Sequence, residues 1–406
     1  MTFRLRLIAL FFSLAVPLSA FASNEAEFQS WVEKFKLQAV EQGISKSTLD
    51  RAFENVSLNE KVLELDSRQP EFTRTFWQYF KNAVTEWRIA KGRYLYQKHR
   101  RLLDQVTKKY GVPGRVLVAF WGMETNFGGY TGNIPIIESL ATLAFDPRRS
   151  EFFSKELLDA LKILDQGHVT LDEMKGSWAG AMGQCQFMPS NYVRYAVDGD
   201  GDGKKDLWGS LPDVFFSAGN FLATLGWQKQ ENWGREVTLP KGFDYALADG
   251  KTARLLKEWS QMGLTLADGR PLPREEMQAK LILPSDYRGP AFLVFENFKV
   301  IKRWNNSTNY ALGVGHLADR IIGRAPLSKN APLDDKALSK TQMKTIQERL
   351  NGLGFDAGTP DGIAGSKTRN ALREFQVARN LPADGYPSQK MFDMLLSEQE
   401  ESSPGK

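Results

Sequence analysis

PGRVLVAFWGMETNFGG, Pro113 to Gly129, is an apolar run that carries one carboxylate, Glu124. Proline suits the first turn of a helix and a glycine pair suits its end, so the spacing predicts one helix from Pro113 to Gly128-Gly129. On such a helix Phe120, Trp121 and Phe127 stand four before, three before and three after Glu124, all on its side. Val116, Phe120, Met123 and Phe127 form the expected buried stripe, with Glu124 on its edge. Burial disfavours the charged form of a carboxyl, and the negative end of the helix dipole pushes the same way. A carboxyl that keeps its proton near neutral pH is a candidate general acid. The plain alternative is a solvated glutamate at a helix end.

Outward from this helix the pattern is mostly helical. Upstream, FQSWVEKFKLQAV sets Phe28, Trp31, Phe35 and Val40 at near-helical spacing, and KGRYLYQKHRRLLDQVTKKYG stops at Gly111. Downstream, helices are expected over Glu151–Leu164, Pro212–Leu225 and Tyr310–Ile322. Between Trp233 and about Val300, REVTLP, AKLILP and AFLVFENFKVI read as strands, interrupted by a helix at TARLLKEWSQMG. Ala325–Lys340 has little apolar periodicity and reads as a linker. Beyond it, Met343, Ile346, Leu350 and Leu353 make one stripe, Leu372 and Phe375 a second behind Ser366 as N-cap, and Met391, Phe392 and Leu395 a third behind Ser388.

With 406 residues, 42% of them hydrophobic and 25% charged, the chain has globular composition and length enough for more than one domain. The net charge of +5 is mild, and no dense Lys/Arg block points to nucleic acid. Arg4 and Arg6, the apolar stretch Leu7–Leu18 and Ala20-Phe21-Ala22 read as an export signal cleaved after Ala22. No later segment is apolar enough to span a membrane, and no cysteine follows the leader closely enough to carry a lipid anchor. Cys185 is the only cysteine, so no intramolecular disulfide forms. An exported, soluble, periplasmic protein is expected.

The second informative stretch is GSWAGAMGQCQFMPS, Gly176 to Ser190. Its small residues allow close backbone approach. Ser177, Gln184 and Gln186 offer neutral hydrogen bonds, and Trp178, Phe187 and Tyr192 offer flat apolar faces, a mixture that suits sugar rings. The alternative is a tightly packed Gly/Ala contact. METNFG, then ESLATLAFDPRRSEFFSKEL, then GSWAGAMGQCQFMPS, taken in order, resemble the B-type lytic murein transglycosylases over about Trp31 to Ile322.

That resemblance implies a mainly α (α+β) protein. It would have a lysozyme-like helical core, a helical N-terminal subdomain and an inserted α+β subdomain. It implies cleavage of the β-1,4 bond between N-acetylmuramic acid and N-acetylglucosamine without water, leaving 1,6-anhydromuramic ends. Glu124 would be the acid and then the base. Tyr79, Ser177, Gln186, Phe187, Asn305 and Tyr310 match saccharide-contacting positions. Phe221 and Trp304 stand where relatives carry Tyr. Glu138 and Asp146 are the nearest downstream acids, neither expected to share the chemistry. No cofactor for chemistry is implied. A water-using muramidase and a non-catalytic wall-binding scaffold are the competing readings.

DGDGDGKKDLWG, Asp198 to Gly209, resembles an EF-hand loop. Asp198, Asp200 and Asp202 hold its first, third and fifth positions, Gly203 the turn, and Lys204 the seventh, through its carbonyl. Gly209 stands where a bidentate Glu is usual. Related transglycosylases carry calcium here, and Asp213 matches their last acid, so a structural Ca²⁺ is expected rather than a catalytic one. His99, His168 and His316 have no zinc-type spacing.

Finally, LNGLGFDAGTPDGIAGSKTRNALREFQVARNLPADG resembles the peptidoglycan-binding domain type 1, a three-helix module. The expected organisation is a leader over 1–22, a catalytic domain over 23–325 with an insertion at about 233–300, a linker over 326–338, a wall-binding module over 339–397 and a disordered tail over 398–406. Peptidoglycan glycan strands are the expected partner, together with other cell-wall enzymes.

Overall fold

A computed structural model describes the backbone of residues 18–67 and 74–402, and side chains over 24–67 and 74–398. The expected leader and most of the expected tail lie outside the described side chains. The chain divides into two compact units. The first holds the described residues up to 67 with Gly132–Ala181 and Met188–Ser190; the second holds 74–131, Met182–Phe187 and 191 onward.

In the first unit, helices Leu18–Glu41, Lys46–Phe53, Glu60–Ser67, Ile136–Phe145 and Ser150–Asp165 surround an apolar core. The first helix buries Phe28, Val32, Phe35 and Ala39, while Val40 is exposed. Val32 and Ala39 thus take the inward places expected of Trp31 and Val40, because 28, 32, 35 and 39 keep the 4-3-4 spacing of one helical face, and Trp31 is half-buried at its edge. Phe28 packs edge-on against Phe145 at 5.5 Å. Ser45 caps the second helix, and with Thr48 donates to Asp165 at 2.5 and 2.7 Å, which ties that helix to the end of Ser150–Asp165. Strands β1 (Ile134–Pro135) and β2 (Lys175–Gly176) pair antiparallel.

The second unit is built on the helix Thr308–Ile321, in which Tyr310 to Asp319 are buried without a break. It packs against Gly114–Thr125, Glu86–Lys98, Phe76–Ala83 and Glu296–Trp304. Gly315 permits this density: a Cβ there would lie 2.3 Å from the Trp233 ring. The Trp233 indole in turn donates to Asp319 at 3.2 Å.

Strands β3 (Gly234–Thr238), β4 (Asp249–Leu255), β5 (Thr265–Leu266), β6 (Gln278–Ile282) and β7 (Ala291–Val294) form one antiparallel sheet in the order β4-β6-β7-β3-β5. Its core gathers Phe243, Leu256, Trp259, Leu281 and Leu293. Two sequence expectations shift here. Thr252–Leu255 is strand, pairing Ala253 with Lys280 and Leu255 with Gln278, so the helix expected there shrinks to Leu256–Gln261. Conversely, ENFKVI is helical: only Ala291–Val294 is strand, and Glu296–Trp304 buries Phe298 and Ile301 at helical spacing.

At the C-terminus, helices Lys340–Gly352, Ser366–Ala378 and Gln389–Ser402 close around Ile346, Leu350, Leu372, Phe375 and Leu395. Leu353 falls past the end of its helix and is 37% exposed, so it leaves the expected stripe. Gly365, not Ser366, is the N-cap, and Ser366 is the first helical residue. The segment ahead of this module is pinned by side chains. Thr75 donates to Asp335 at 2.6 Å, Arg288 pairs with Asp334 at 2.9 Å and Ser328 donates to Glu236 at 2.7 Å. Asp384, 4% exposed, accepts from the Tyr287 amide at 2.9 Å and from Gln376 at 2.8 Å, joining the module to the region of the sheet.

Candidate active site

Glu124 lies in the last turn of Gly114–Thr125. This helix ends at Asn126, earlier than the glycine pair, because Asn126 and Phe127 both enter left-handed backbone. Phe127 therefore leaves the helical stripe but is still buried, folding back near Trp121 at 5.6 Å between ring centroids. Gly128 follows at φ +74°, and a Cβ there would meet Gln184 Oε1 at 2.3 Å, so the turn needs glycine.

That turn is locked by the Met182–Phe187 segment. The Trp121 indole donates to Gln184 Oε1 at 2.8 Å, Gln184 Nε2 donates to the Trp208 carbonyl at 2.6 Å, and the Thr125 hydroxyl donates to the Gln184 carbonyl at 2.9 Å. Gln184 is buried, and its amide is committed to the protein rather than offered to a sugar. By residue type it belongs with Gln186 and Ser177; only the fold gives it these partners. Gln186 is partly exposed, in left-handed backbone, with its amide donating to the Thr131 and Gly183 carbonyls at 3.0 Å each.

Glu124 itself is partly buried. The Tyr310 hydroxyl donates to its Oε1, and the Trp304 side chain also hydrogen-bonds it. Burial is the largest influence and pushes its pKa up to about 7, against the two hydrogen bonds, which favour the ionised form. Burial and the neighbouring Glu124 charge raise the Tyr310 hydroxyl, so it remains a donor. Cys185 is buried, and burial first and the Glu124 charge second raise its thiol, which makes it a poor nucleophile.

Around the carboxyl stands an aromatic wall. Trp304 lies 4.4 Å from Phe120, 5.1 Å from Phe221 and 5.3 Å from Phe187 between ring centroids. Phe187 is 1% exposed and Phe221 4%. These two expected sugar contacts thus stand behind Trp304, which remains partly exposed. Tyr79 is partly exposed, and its Cε1 and the Met123 Cε both lie close to where a Cβ on Gly313 would be, at 3.5 and 3.2 Å. Asn305 is exposed, its side chain accepting from the Ser307 amide at 3.2 Å. Ser177 belongs to the first unit, where its hydroxyl accepts from the Ala181 amide at 3.0 Å. Glu138 and Asp146 are also in that unit, engaged by Asn59 and by Arg148 respectively.

The acidic loop brings Asp198, Asp200 and Asp202 together, with one carboxylate oxygen of each within 4.8 Å of the others. Three hard oxygen donors on an exposed turn fit a divalent cation of the calcium type. Asp213 is not in that cluster. It is fully buried and accepts from the Gly199 amide at 2.7 Å and the Asp206 amide at 2.6 Å, so it holds the loop's backbone from beneath. Lys204 is exposed, and its amide donates to Asp202 at 2.8 Å. Asp206, which the sequence reading did not single out, accepts from the Trp208 and Gly209 amides at 2.8 Å.

A mainly α protein with one half-buried carboxyl under a tyrosine and a tryptophan has the makings of an acid catalyst of glycoside chemistry. Comparison with known families makes the assignment sharper. Residues 27–319 match the Transglycosylase SLT domain and residues 339–395 the putative peptidoglycan binding domain. The chain belongs to the SLT-domain transglycosylase family. It is 30% identical over 314 residues to the membrane-bound lytic murein transglycosylase B of Escherichia coli (strain K12), spanning 74% of this chain and 83% of that one. The crystal structure of SltB3 from Pseudomonas aeruginosa in complex with NAG-anhNAM-pentapeptide superposes with a TM-score of 0.88 at 46% identity, covering 91% of this chain and 99% of that one. The Escherichia coli lytic transglycosylase Slt35 in complex with calcium superposes with a TM-score of 0.62 at 31% identity, covering 74% and 93%. The mainly α, lysozyme-like class expected from the sequence holds.

Proposed function

We propose that the protein is a lytic murein transglycosylase in which Glu124 is the sole catalytic carboxyl. The observation that carries this reading is the state of Glu124: partly buried, hydrogen-bonded by Tyr310 and Trp304, with a pKa near 7. The nearest downstream acids, Glu138 and Asp146, are engaged by Asn59 and Arg148. In the first step the Glu124 carboxyl gives its proton to the bridging oxygen as the C1–O bond breaks. Tyr310 and Trp304, both donors, stabilise the carboxylate that results. In the second step that carboxylate takes the proton from the C6 hydroxyl of N-acetylmuramic acid as its oxygen bonds to C1. The proton moves from C6–OH to the leaving hydroxyl by way of Glu124, and no water is consumed. The 2-acetamido oxygen of the substrate covers the cationic centre between the steps, as in substrate-assisted glycosidases.

The solved structure of a relative holding NAG-anhNAM-pentapeptide supports the anhydro product, and the match at 339–395 supports a wall-binding module. Tyr79, Gln186, Trp304 and Asn305 are the proposed sugar contacts, with Phe187 and Phe221 backing Trp304. Asp198, Asp200 and Asp202 would hold a calcium ion, which would stiffen the loop and supply no chemistry. The reading places the protein in the periplasm, where its substrate is. Mass spectrometry of digested sacculi tests it. Products one water lighter than reducing muropeptides are expected, and reducing ends alone would replace it with a muramidase.

A further inference from the structure

One cavity of the second unit lies apart from Glu124: a groove of about 650 Å³ between the sheet, the helix Glu296–Trp304 and the helix Ser366–Ala378 of the C-terminal module. Its lining is unbalanced in charge. Lys251, Lys280, Lys302 and Arg369 face it, and none of them forms an ion pair with a described residue. The two acids of the lining are spoken for. Glu296 pairs with Lys299 at 2.7 Å, and Asp249 accepts from Thr252 at 2.6 Å and from the Lys251 amide at 2.7 Å.

Arg369 and Arg373 stand four apart on one helix, so two like charges share a face; the nearby charges of Asp384, for both, and Asp249, for Arg373, offset this only in part, without an ion pair. Arg373 donates to the Ala248 carbonyl at 3.2 Å, yet its Nε is buried without a partner. Lys302 is partly buried, and burial alone lowers its pKa. Cations that outnumber the acids of the lining, several of them partly withdrawn from water and without an ion-pair partner, mark a place suited to an anion.

The groove also borders the chemistry. Asn306, Thr308 and Asn309 line it, between Trp304 and Tyr310, the two residues that hydrogen-bond Glu124. Lys302 and Trp304 are two apart on one helix, so they leave it in different directions. One helix therefore serves the carboxyl with its tryptophan and the groove with its lysine.

We propose that this groove binds the free carboxylates of the stem peptides that hang from the glycan strand, making the enzyme selective for peptide-bearing strands. This rests on the transglycosylase reading. N-acetylmuramic acid carries its peptide on the lactyl group, and each stem peptide presents several carboxylates within a few residues. A strand with its sugars at Glu124 would lay a neighbouring peptide along the groove, so the C-terminal module would take part in substrate choice.

Two measurements on the full-length protein test this. The first is calorimetric binding of a sugar-free stem tetrapeptide and of the same peptide with its carboxylates amidated. The second is kcat/KM on glycan strands with stem peptides and on strands stripped of them by an amidase. The free-acid peptide is expected to bind, more weakly as salt rises, and the amidated one to bind at least about 10-fold more weakly. Lys302→Glu with Arg369→Glu should weaken peptide binding by about 10-fold and bring the ratio of the two kcat/KM values toward one. Lys302→Gln, milder for folding, should lower the same ratio by about 3-fold at an unchanged melting temperature.

Equal binding of the two peptides overturns the proposal, as does a ratio that the variants do not move. So does displacement of the peptide by equimolar inorganic phosphate, which would make the groove a general anion site. Absence of anhydro products from both kinds of strand would overturn the transglycosylase reading alone, because peptide binding is measured without turnover.

Discussion

Two regions of this molecule are built on carboxylates and treat them in opposite ways. At Glu124 one acid is set among aromatic rings, and burial raises its pKa to about 7. In the Asp198–Asp202 loop three acids crowd on an exposed turn. There the amides of Gly203 and Gly201 donate to Asp198 and hold its carboxyl below the usual range, the Gly203 contact counting most. The same functional group is thus a proton store in one place and a fixed negative charge in the other. What differs is access to water and to backbone N–H groups, not residue type. Proton transfer needs the first environment, and holding a cation needs the second.

The comparison predicts that the two sites fail differently. Glu124→Gln should lower turnover of sacculi by about 10³-fold or more while leaving binding to the wall intact, as judged by product release and by pelleting. Asp198→Asn with Asp200→Asn should leave measurable turnover and instead abolish calcium-dependent stabilisation. A rise in melting temperature when calcium is added to chelated wild type, absent in the double variant, is the readout. No rise in the wild type would show that the loop holds no calcium.

Tyr310→Phe is expected to cost about 10- to 100-fold in kcat/KM, because it removes a donor that favours the carboxylate. It should also move the alkaline limb of the pH–rate profile upward, since that donor lowers the Glu124 pKa. In the wild type that limb should fall as pH rises through about 7. An unmoved limb in the variant would assign the titration to another group.

The buried acid beneath the loop offers a contrast within the loop itself. Asp213→Ala leaves the Gly199 and Asp206 amides without their acceptor. It should cost about 2–4 kcal/mol of stability in urea unfolding, with or without calcium.

The smallest effect is the stability cost of the proton store. A carboxyl whose pKa is higher in the folded state than in the unfolded one stabilises fully below the unfolded value and loses that contribution as pH rises through the folded value. For Glu124 the window runs from about 4.5 to about 7. Glu124→Gln should therefore gain stability relative to wild type across that window, by on the order of 1–3 kcal/mol at its upper end. His316 gives the opposite sign. Its pKa is lowered to about 4, by burial first and Arg320 second, so its contribution is present above about 6.5 and lost as pH falls through about 4.

Much of this was legible from the chain alone. A helix starting just after Pro113 and carrying Glu124 beside Phe120 and Trp121 follows from spacing, as do the three-helix pattern after Ser339 and the acidic turn at Asp198. Local order and periodicity carry such information because neighbours within one turn of helix must meet. Three features were not legible. The end of the Glu124 helix comes early because Asn126 and Phe127 turn left-handed to pack. ENFKVI became a helix although its residues suit a strand equally well, since short apolar runs are settled by what they pack on. Gln184, a plausible sugar ligand by residue type, is consumed by Trp121 and Trp208.

Sequence by itself determined which residues are the candidates: the lone acid in its aromatic setting for chemistry, the clustered aspartates for a cation, and the order of elements that places the protein in its family. Tertiary structure alone decided what state those residues are in. The pKa of Glu124 depends on Tyr310 and Trp304, which follow it by more than 170 positions, and on how much water the packed rings exclude. Charge balance in the groove likewise depends on a lysine of one helix meeting an arginine from another module. Solvation and Coulomb terms are set by distance in space, and distance along the chain carries almost no information about them.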